Sequence, residues 1–340
     1  MEKNRSIAMR NFKVNVRHLV MIILLLPVVA VYAGDKKPGW ITQRPVSRFY
    51  YIGIGYASKA EHPTDYHQVA RDQALNDLAS EIEIKISGET IQKLSEMAGV
   101  IKEDVLSQIR STTRAHLEGY EQVAAWEDAN DYWVYYHLSK EVYQKLQKER
   151  KIKAINLAKD FYLKAKDEEK KGNIASAIRY YMQALQSFQE FIGEPVSVQI
   201  DGKSRYLQNE IYFALQQLFM NIKLLPLTGK LNIKMTKGKA QPVKVKATYQ
   251  PQGNPVAGLP VAFKFVKGKG KIDSPVNSDR QGIATGMISS MLSSEKLQIL
   301  RAFTGSDLFV DTGSNPLLQQ LIRNLNTPAT KILLTVSGLQ

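Results

Sequence analysis

Cysteine is absent from all 340 residues of the chain. Disulfides, thiolate nucleophiles, thiolate metal ligands and a cysteine-borne lipid are thereby excluded, and the domains must hold together by core packing alone. Long apolar runs are missing after Val31. So are G-x-S-x-G, H-E-x-x-H and Walker patterns, the usual signatures of serine hydrolases, zinc proteases and P-loop enzymes. Acidic residues are scarce in one region only. Residues 226–340 carry 15 Lys/Arg against 5 Asp/Glu, whereas residues 34–225 carry 26 of each, so the formal charge of +14 sits almost wholly on the C-terminal third and the extreme N-terminus.

What is present begins with a leader. Lys3, Arg5, Arg10, Lys13 and Arg17 precede the apolar run Leu19–Val31, and Ala33 stands where a signal peptidase cuts, so residues 1–33 read as a secretory signal peptide. A retained anchor is the rival reading, but this run is interrupted by Pro27 and falls short of the roughly 20 residues a spanning helix needs. The expected location is the periplasm, the periphery of the outer membrane or the cell surface, with no integral membrane segment after the leader. Nucleic acid is not an expected partner there. The basic C-terminal third suits anionic envelope polymers, or merely keeps a β-domain soluble.

The stretch "YYIGIGYAS", Tyr50 to Ser58, pairs two glycines as a dinucleotide loop does. That fingerprint needs a third glycine where Ser58 stands and a helix opening at once, yet Pro63 lies in an intervening turn, and Asp77, the acid about twenty positions on, falls inside a helical pattern. The glycines are better read as places where a strand bends, or where the helix carrying Ala70 and Ala74 packs on bare backbone. That helix has an apolar stripe of Val69, Ala70, Ala74, Leu75, Leu78, Ala79 and Ile82. "EIEIKIS", Glu81 to Ser87, alternates and predicts a strand; residues 89–115 predict a helix. Two further strands flank a hairpin turn at Asp128–Asp131.

From Ser139 the pattern is helical for about 85 residues, broken by "KKGNIAS" and "IGEPVSVQIDGKS", with a last helix over Tyr206–Leu224. From Pro226 onward, short β-rich runs alternate with Gly, Pro, Asn and Asp turns at the spacing of a sandwich, with Val261, Phe263 and Phe265 inward and Lys264 outward. A short helix or turn over Pro316–Asn324 interrupts them. The fold class is therefore multidomain: an α+β domain over 38–147, an all-α connector over 148–225 and an all-β sandwich over 226–340 able to fold by itself.

Three resemblances accompany this layout. "PGWITQRP", "YYIGIGYAS", "QVARDQALNDLASEIEIKISGE" and "LEGYEQVAAWED…YWVYYHLSKEVY" resemble the Lpp-twenty lipoprotein family, which implies a small envelope domain acting in assemblies near the outer membrane; the family's lipid-bearing cysteine is lacking. Phe161, Ala165, Gly172, Ala177, Tyr181 and Ala184 resemble the packing positions of a tetratricopeptide repeat, with Glu168 replacing an aromatic. "VKVKATYQPQGNPVAGLPVAFKFVKGKGKI…SPVNSDRQGIATGMIS" is similar to bacterial Ig-like domains, which implies an adhesive or spacer module with Gly253, Gly258 and Gly282 at turns.

These readings converge on a non-enzymatic envelope protein, a scaffold or accessory component whose partners are envelope proteins, with oligomers possible. A glycan- or lipopolysaccharide-binding protein acting through the basic sandwich is the alternative. No catalytic, cofactor or metal residues are expected; His62 and His67, with Asp65 between them, lack a converging third or fourth ligand. Two candidate surfaces follow: Lys264, Lys267, Lys269 and Lys271, crowded on one hairpin, for polyanions, and Trp133 with Tyr135 on one face of an aromatic strand, for a protein or carbohydrate partner.

Overall fold

The computed structural model describes residues 31–32, 36–84, 113–114, 116–192, 194, 196–227, 230–234, 240–310 and 315–337. The expected leader, apart from residues 31–32, and the expected helix over 89–115, apart from 113–114, lie outside the described residues. The chain divides into two units, Met1–Leu78 with Tyr120–Ser139, and Ala79–Gly119 with Lys140–Gln340.

The first unit is a four-stranded sheet faced by a helix. It contains β1 (Val31–Tyr32), α1 (Gly39–Thr42), β2 (Tyr50–Ser58), α2 (Tyr66–Ile84) as far as Leu78, β3 (Tyr120–Glu127) and β4 (Asp131–Ser139). Strand order is β1-β3-β4-β2, antiparallel throughout except that β1 runs parallel to β3. The expected hairpin turn forms at Asp128, whose carboxylate accepts from the backbone N–H groups of Asn130 at 2.9 Å and Asp131 at 2.7 Å. Those two bonds hold the Asp128 carboxyl below its ordinary range.

The predicted strand at "EIEIKIS" is corrected: Glu81–Ile84 is the end of α2, and Lys85 to Ser87 lie outside the described residues. Ala70, Ala74, Leu78 and Ile82 are all buried at a spacing of four, so Ile82 extends an existing helical stripe. Adding a turn to a nucleated helix fixes one residue per hydrogen bond, and Glu is a good helix former; three alternating isoleucines do not outweigh that.

The second unit carries the helices α3 (Lys140–Lys170), α4 (Ile174–Ser187), α5 (Leu207–Asn221) and α6 (Pro316–Arg323). Between α4 and α5 stands a hairpin missed in the sequence, β5 (Ser197–Ile200) and β6 (Lys203–Tyr206), turning through Asp201 and Gly202 at φ 49° and 73°. The α3–α4 corner matches the repeat-like pattern. Ala165, Ala177, Tyr181 and Ala184 are buried, Gly172 takes φ 79°, and Glu168 accepts from Lys171 Nζ and Asn173 Nδ2 across the turn.

The sandwich is built from β7 (Ile222–Pro226), β8 (Lys230–Lys234), β9 (Gln241–Tyr249), β10 (Asn254–Pro255), β11 (Pro260–Lys267), β12 (Gly270–Ile272), β13 (Val276–Asn277), β14 (Ile283–Met291), β15 (Leu297–Phe303) and β16 (Ala329–Ser337). One sheet runs β10-β9-β14-β12 with β7 also on β9; the other runs β13-β11-β15-β16-β8. Phe263 bridges them: its ring lies where a Cβ on Gly286 of β14 would meet it at 3.0 Å. Val261 and Phe263 are buried, Phe265 half-buried and Lys264 exposed. Gly253, Gly258 and Gly282 occupy the left-handed region that glycine tolerates, each at a turn.

The boundary expected between residues 225 and 226 falls inside β7, whose Ile222–Pro226 pairs with Tyr249–Val245. Helices and sandwich also share one hydrophobic core running from Ala158 to Leu334. Phe219 of α5 meets Phe309 edge-on at 6.0 Å, Gln250 N–H donates to Asn221 O at 2.9 Å, and Asn315, which caps α6 by accepting from Leu318 N–H, donates to Gln189 O at 3.1 Å. A sequence-local pattern changes from period 3.6 to period 2 near Pro226, but burial is decided by what each face meets. The end of α5 meets the sandwich region through Phe219 and Phe309 and runs straight into β7, so connector and sandwich form one body.

Candidate functional site: an aromatic sheet face and a basic sandwich

The glycine pair on β2 is a packing contact. A Cβ on Gly53 would overlap the Ala74 carbonyl oxygen and reach Leu78 Cβ at 2.8 Å; one on Gly55 would overlap the Ala70 carbonyl oxygen and stand 2.6 Å from Ala74 N. Asp77, the acid a nucleotide site would need, is spent locally: its Oδ2 accepts from Ile54 N–H at 2.9 Å and pairs with the Arg44 guanidinium. Arg44 in turn donates to Ile52 O at 2.7 Å, stitching the segment before β2 to both strand and helix.

On β4, Val134, Tyr136 and Leu138 are buried, while Trp133, Tyr135 and His137 are half-buried on the opposite face. That face is a row of aromatic contacts: Trp133 lies 4.7 Å from Tyr56, its cross-strand neighbour, Tyr135 lies 5.8 Å from Trp40, and His137 stacks on Tyr50 at 4.2 Å. Trp133 and Tyr135 thus share one surface, partly covered by their neighbours. The Trp133 Nε1–H is buried without an acceptor among the described residues. At the sheet edge Tyr56 donates to Asp131, which with burial raises its phenol above the ordinary value, and burial raises Tyr132 and Tyr136.

His62 and His67 do not converge. His62 lies 3.5 Å from Asp65, whereas His67 packs on the rings of Tyr66 and Tyr132. Among the described residues no group of three or more His, Asp or Glu is placed to hold a metal ion, and no helix is long and apolar enough to cross a membrane.

The four lysines of the expected polyanion site are all exposed, but they do not share one hairpin face. Lys264 and Lys267 lie on β11 in one sheet, Lys269 in the turn, and Lys271 on β12 in the other sheet opposite Ser290. The β11–β12 link crosses between sheets, and Phe265 packs against Gly270, where no Cβ fits. Its turn is pinned by Gln298 of β15, fully buried, which accepts from Lys269 N–H at 3.2 Å and donates to the carbonyls of Ser293 and Glu295. Lys267 pairs with Glu295 at 3.5 Å.

A different basic group emerges from the register. Lys264 stands directly opposite Arg301, and Arg301 opposite Lys331, so three cations line up across β11, β15 and β16 on the outer face. All three are exposed, and none makes an ion pair among the described residues. Like charges directly opposite one another destabilise a sheet. Sequence reading missed this row because its members are 37 and 30 residues apart; only the strand pairing brings them together.

No protein-family model matches the chain, and neither does any curated protein. Among solved structures it is similar to the D00-D0 domain of intimin, at 16% identity and a TM-score of 0.20, a likeness that covers 33% of this chain and 46% of that one.

Proposed function

We propose that this protein is a non-catalytic, exported component of a bacterial envelope assembly, in which the second unit serves as a stiff structural element and the first presents an aromatic sheet face to an envelope protein. The observation that carries the reading is the shared core from Ala158 to Leu334: a long helix, a repeat-like corner and an Ig-like sandwich are built on it together. Such a body transmits position. The Lpp-twenty, tetratricopeptide and Ig-like resemblances agree with this role, as does the leader pattern over residues 1–33. Crosslinking in intact cells through a photoreactive residue at Tyr135, followed by analysis of the envelope fraction, tests it. The expected product is a discrete adduct with an envelope protein, carried by a chain that begins after Ala33; a cytoplasmic chain that begins at Met1 and yields no adduct refutes it.

The unpaired row Lys264–Arg301–Lys331 favours a second reading, in which the sandwich binds anionic envelope polymers. Binding through such a row should fade as salt shortens the screening length to about 8 Å at physiological ionic strength. Cosedimentation with purified lipopolysaccharide or peptidoglycan at low and high salt reads it directly.

A further inference from the structure

Beside Arg301 the surface opens into a cleft of 460 Å³ between the end of β15 and helix α6. That volume lies within the range of small-ligand pockets, about 300–1,000 Å³. Two guanidinium groups line it, Arg301 from the strand and Arg323 from the last turn of α6, together with Phe303, Asp307, Gln319 and Thr327. Arg301 sits 5.0 Å from the centre of the Phe303 ring. That stacking holds its fork in place and costs less dehydration than an ammonium would. Arg323 is steadied by a long contact to Gln319 Oε1 at 3.5 Å. Neither arginine has a carboxylate partner among the described residues, and Arg301 has cations on both cross-strand flanks.

An arrangement of this kind carries repulsion that an anion would relieve. Two planar forks match phosphate or carboxylate oxygens bidentately. The remaining lining is not that of a bare ion site: the Asp307 carboxylate, which would repel an anion placed against it, can accept from hydroxyl groups, while Gln319 and Thr327 can both donate and accept. Donors for a charge, lining the same cleft as mixed acceptors and donors, suit an anion carried on a polyhydroxylated body.

We infer that this cleft is a binding subsite for an anionic sugar, a phosphate- or carboxylate-bearing saccharide held by Arg301 and Arg323 through its charge and by Asp307, Gln319 and Thr327 through its hydroxyls. The inference deepens the second reading above and rests on it, since such groups are what an anionic envelope polysaccharide presents. The lysine turn at Lys269 is then peripheral to recognition.

Titration calorimetry of the full chain at low salt tests it, with four probes: a hexose 6-phosphate, a hexuronate, the neutral hexose and inorganic phosphate. The hexose phosphate or the hexuronate, whichever binds better, identifies which anion is preferred, and it should bind at least tenfold more tightly than either the neutral hexose or inorganic phosphate. Arg301→Gln and Arg323→Gln should each weaken it at least tenfold, Arg323→Lys should recover only part of the loss, and Lys269→Gln should change nothing. Wild-type melting temperatures for these exposed-site variants exclude misfolding as the cause. Equal binding of inorganic phosphate, variants that bind as the parent does, or no binding of either anionic sugar overturns the inference. Should the sugars bind the cleft while lipopolysaccharide and peptidoglycan fail to cosediment, the subsite stands and the polymer reading falls.

Discussion

Replacing Gly55 by Ala adds one methyl group at the place where β2 and α2 touch. The added Cβ would overlap the Ala70 carbonyl oxygen and stand 2.6 Å from Ala74 N, against an ordinary contact of 3.4–4 Å. Both obstacles are backbone atoms of one helical turn, so no side-chain rotation relieves the clash. Helix or strand must retreat by roughly 1 Å, loosening buried Ala70, Ala74 and Leu78 together. Overpacking of this kind costs about 1–3 kcal/mol, and rigid obstacles place this case at the upper end. In a unit of this size each kcal/mol moves the melting midpoint by about 4–8 °C, so a fall of about 12 °C or more is expected. The assay is unusually clean, because Trp40, Trp126 and Trp133 are the only tryptophans and all lie in the first unit. Their fluorescence follows that unit's melt within the full chain. Gly39→Ala, where a Cβ meets nothing within 4 Å, is the control and should leave the midpoint in place. A Gly55→Ala protein melting with the parent would refute the packing account.

Two further outcomes are expected. A fragment of residues 226–340 omits most of β7 and uncovers core otherwise shared with α5, so it should give no cooperative melt by circular dichroism, whereas residues 140–340 should; a sharp transition in the shorter fragment would show the shared core to be dispensable. At the α3–α4 corner, hydrogen bonds from Lys171 and then Asn173 hold the Glu168 carboxyl below its usual value of 4.5. A depressed native value contributes stability above the unfolded pKa and loses it as pH falls through the native one, so the melting difference between the parent and Glu168→Gln should shrink below pH 4.5, and a difference independent of pH would contradict the assignment.

Legibility in the sequence followed the range of the signal. Turns written in one or two residues were readable: Asp128 at the β3–β4 hairpin, Gly172 between helices, Gly253, Gly258 and Gly282 in the sandwich. The β5–β6 hairpin carried an equally local mark, Asp201-Gly202, which a reading intent on helices passed over as a break. The end of α2 was misread because Ile82 belongs at once to a fourfold and a twofold period, and only burial chooses between them. The basic surface was misplaced for a deeper reason. Crowding in sequence put Lys264 to Lys271 together, whereas the link between sheets scatters them and register assembles Lys264, Arg301 and Lys331 instead. The cleft beside Arg301 likewise joins a strand to a helix some twenty residues later, and no local pattern marks it.

The pairing of β8 with β16 bears on how the molecule comes to exist. Lys230 meets Leu333 and Lys234 meets Ser337, in parallel, about a hundred residues apart along the chain. Long-range pairings of this sort wait on loop closure and slow the search for the native state. A chain emerging from the N-terminus as it is made could close the first hairpins early, but β8 would remain without its neighbour until β16 arrived. Loss of Ala329–Ser337, by an early stop or by a protease, would therefore do more than shorten the protein. It would strip β15 of its outer partner and leave β8 unpaired, with the buried Ile233 opened to water. Chains that lack Ala329–Ser337 should therefore be cut by protease sooner than the parent chain.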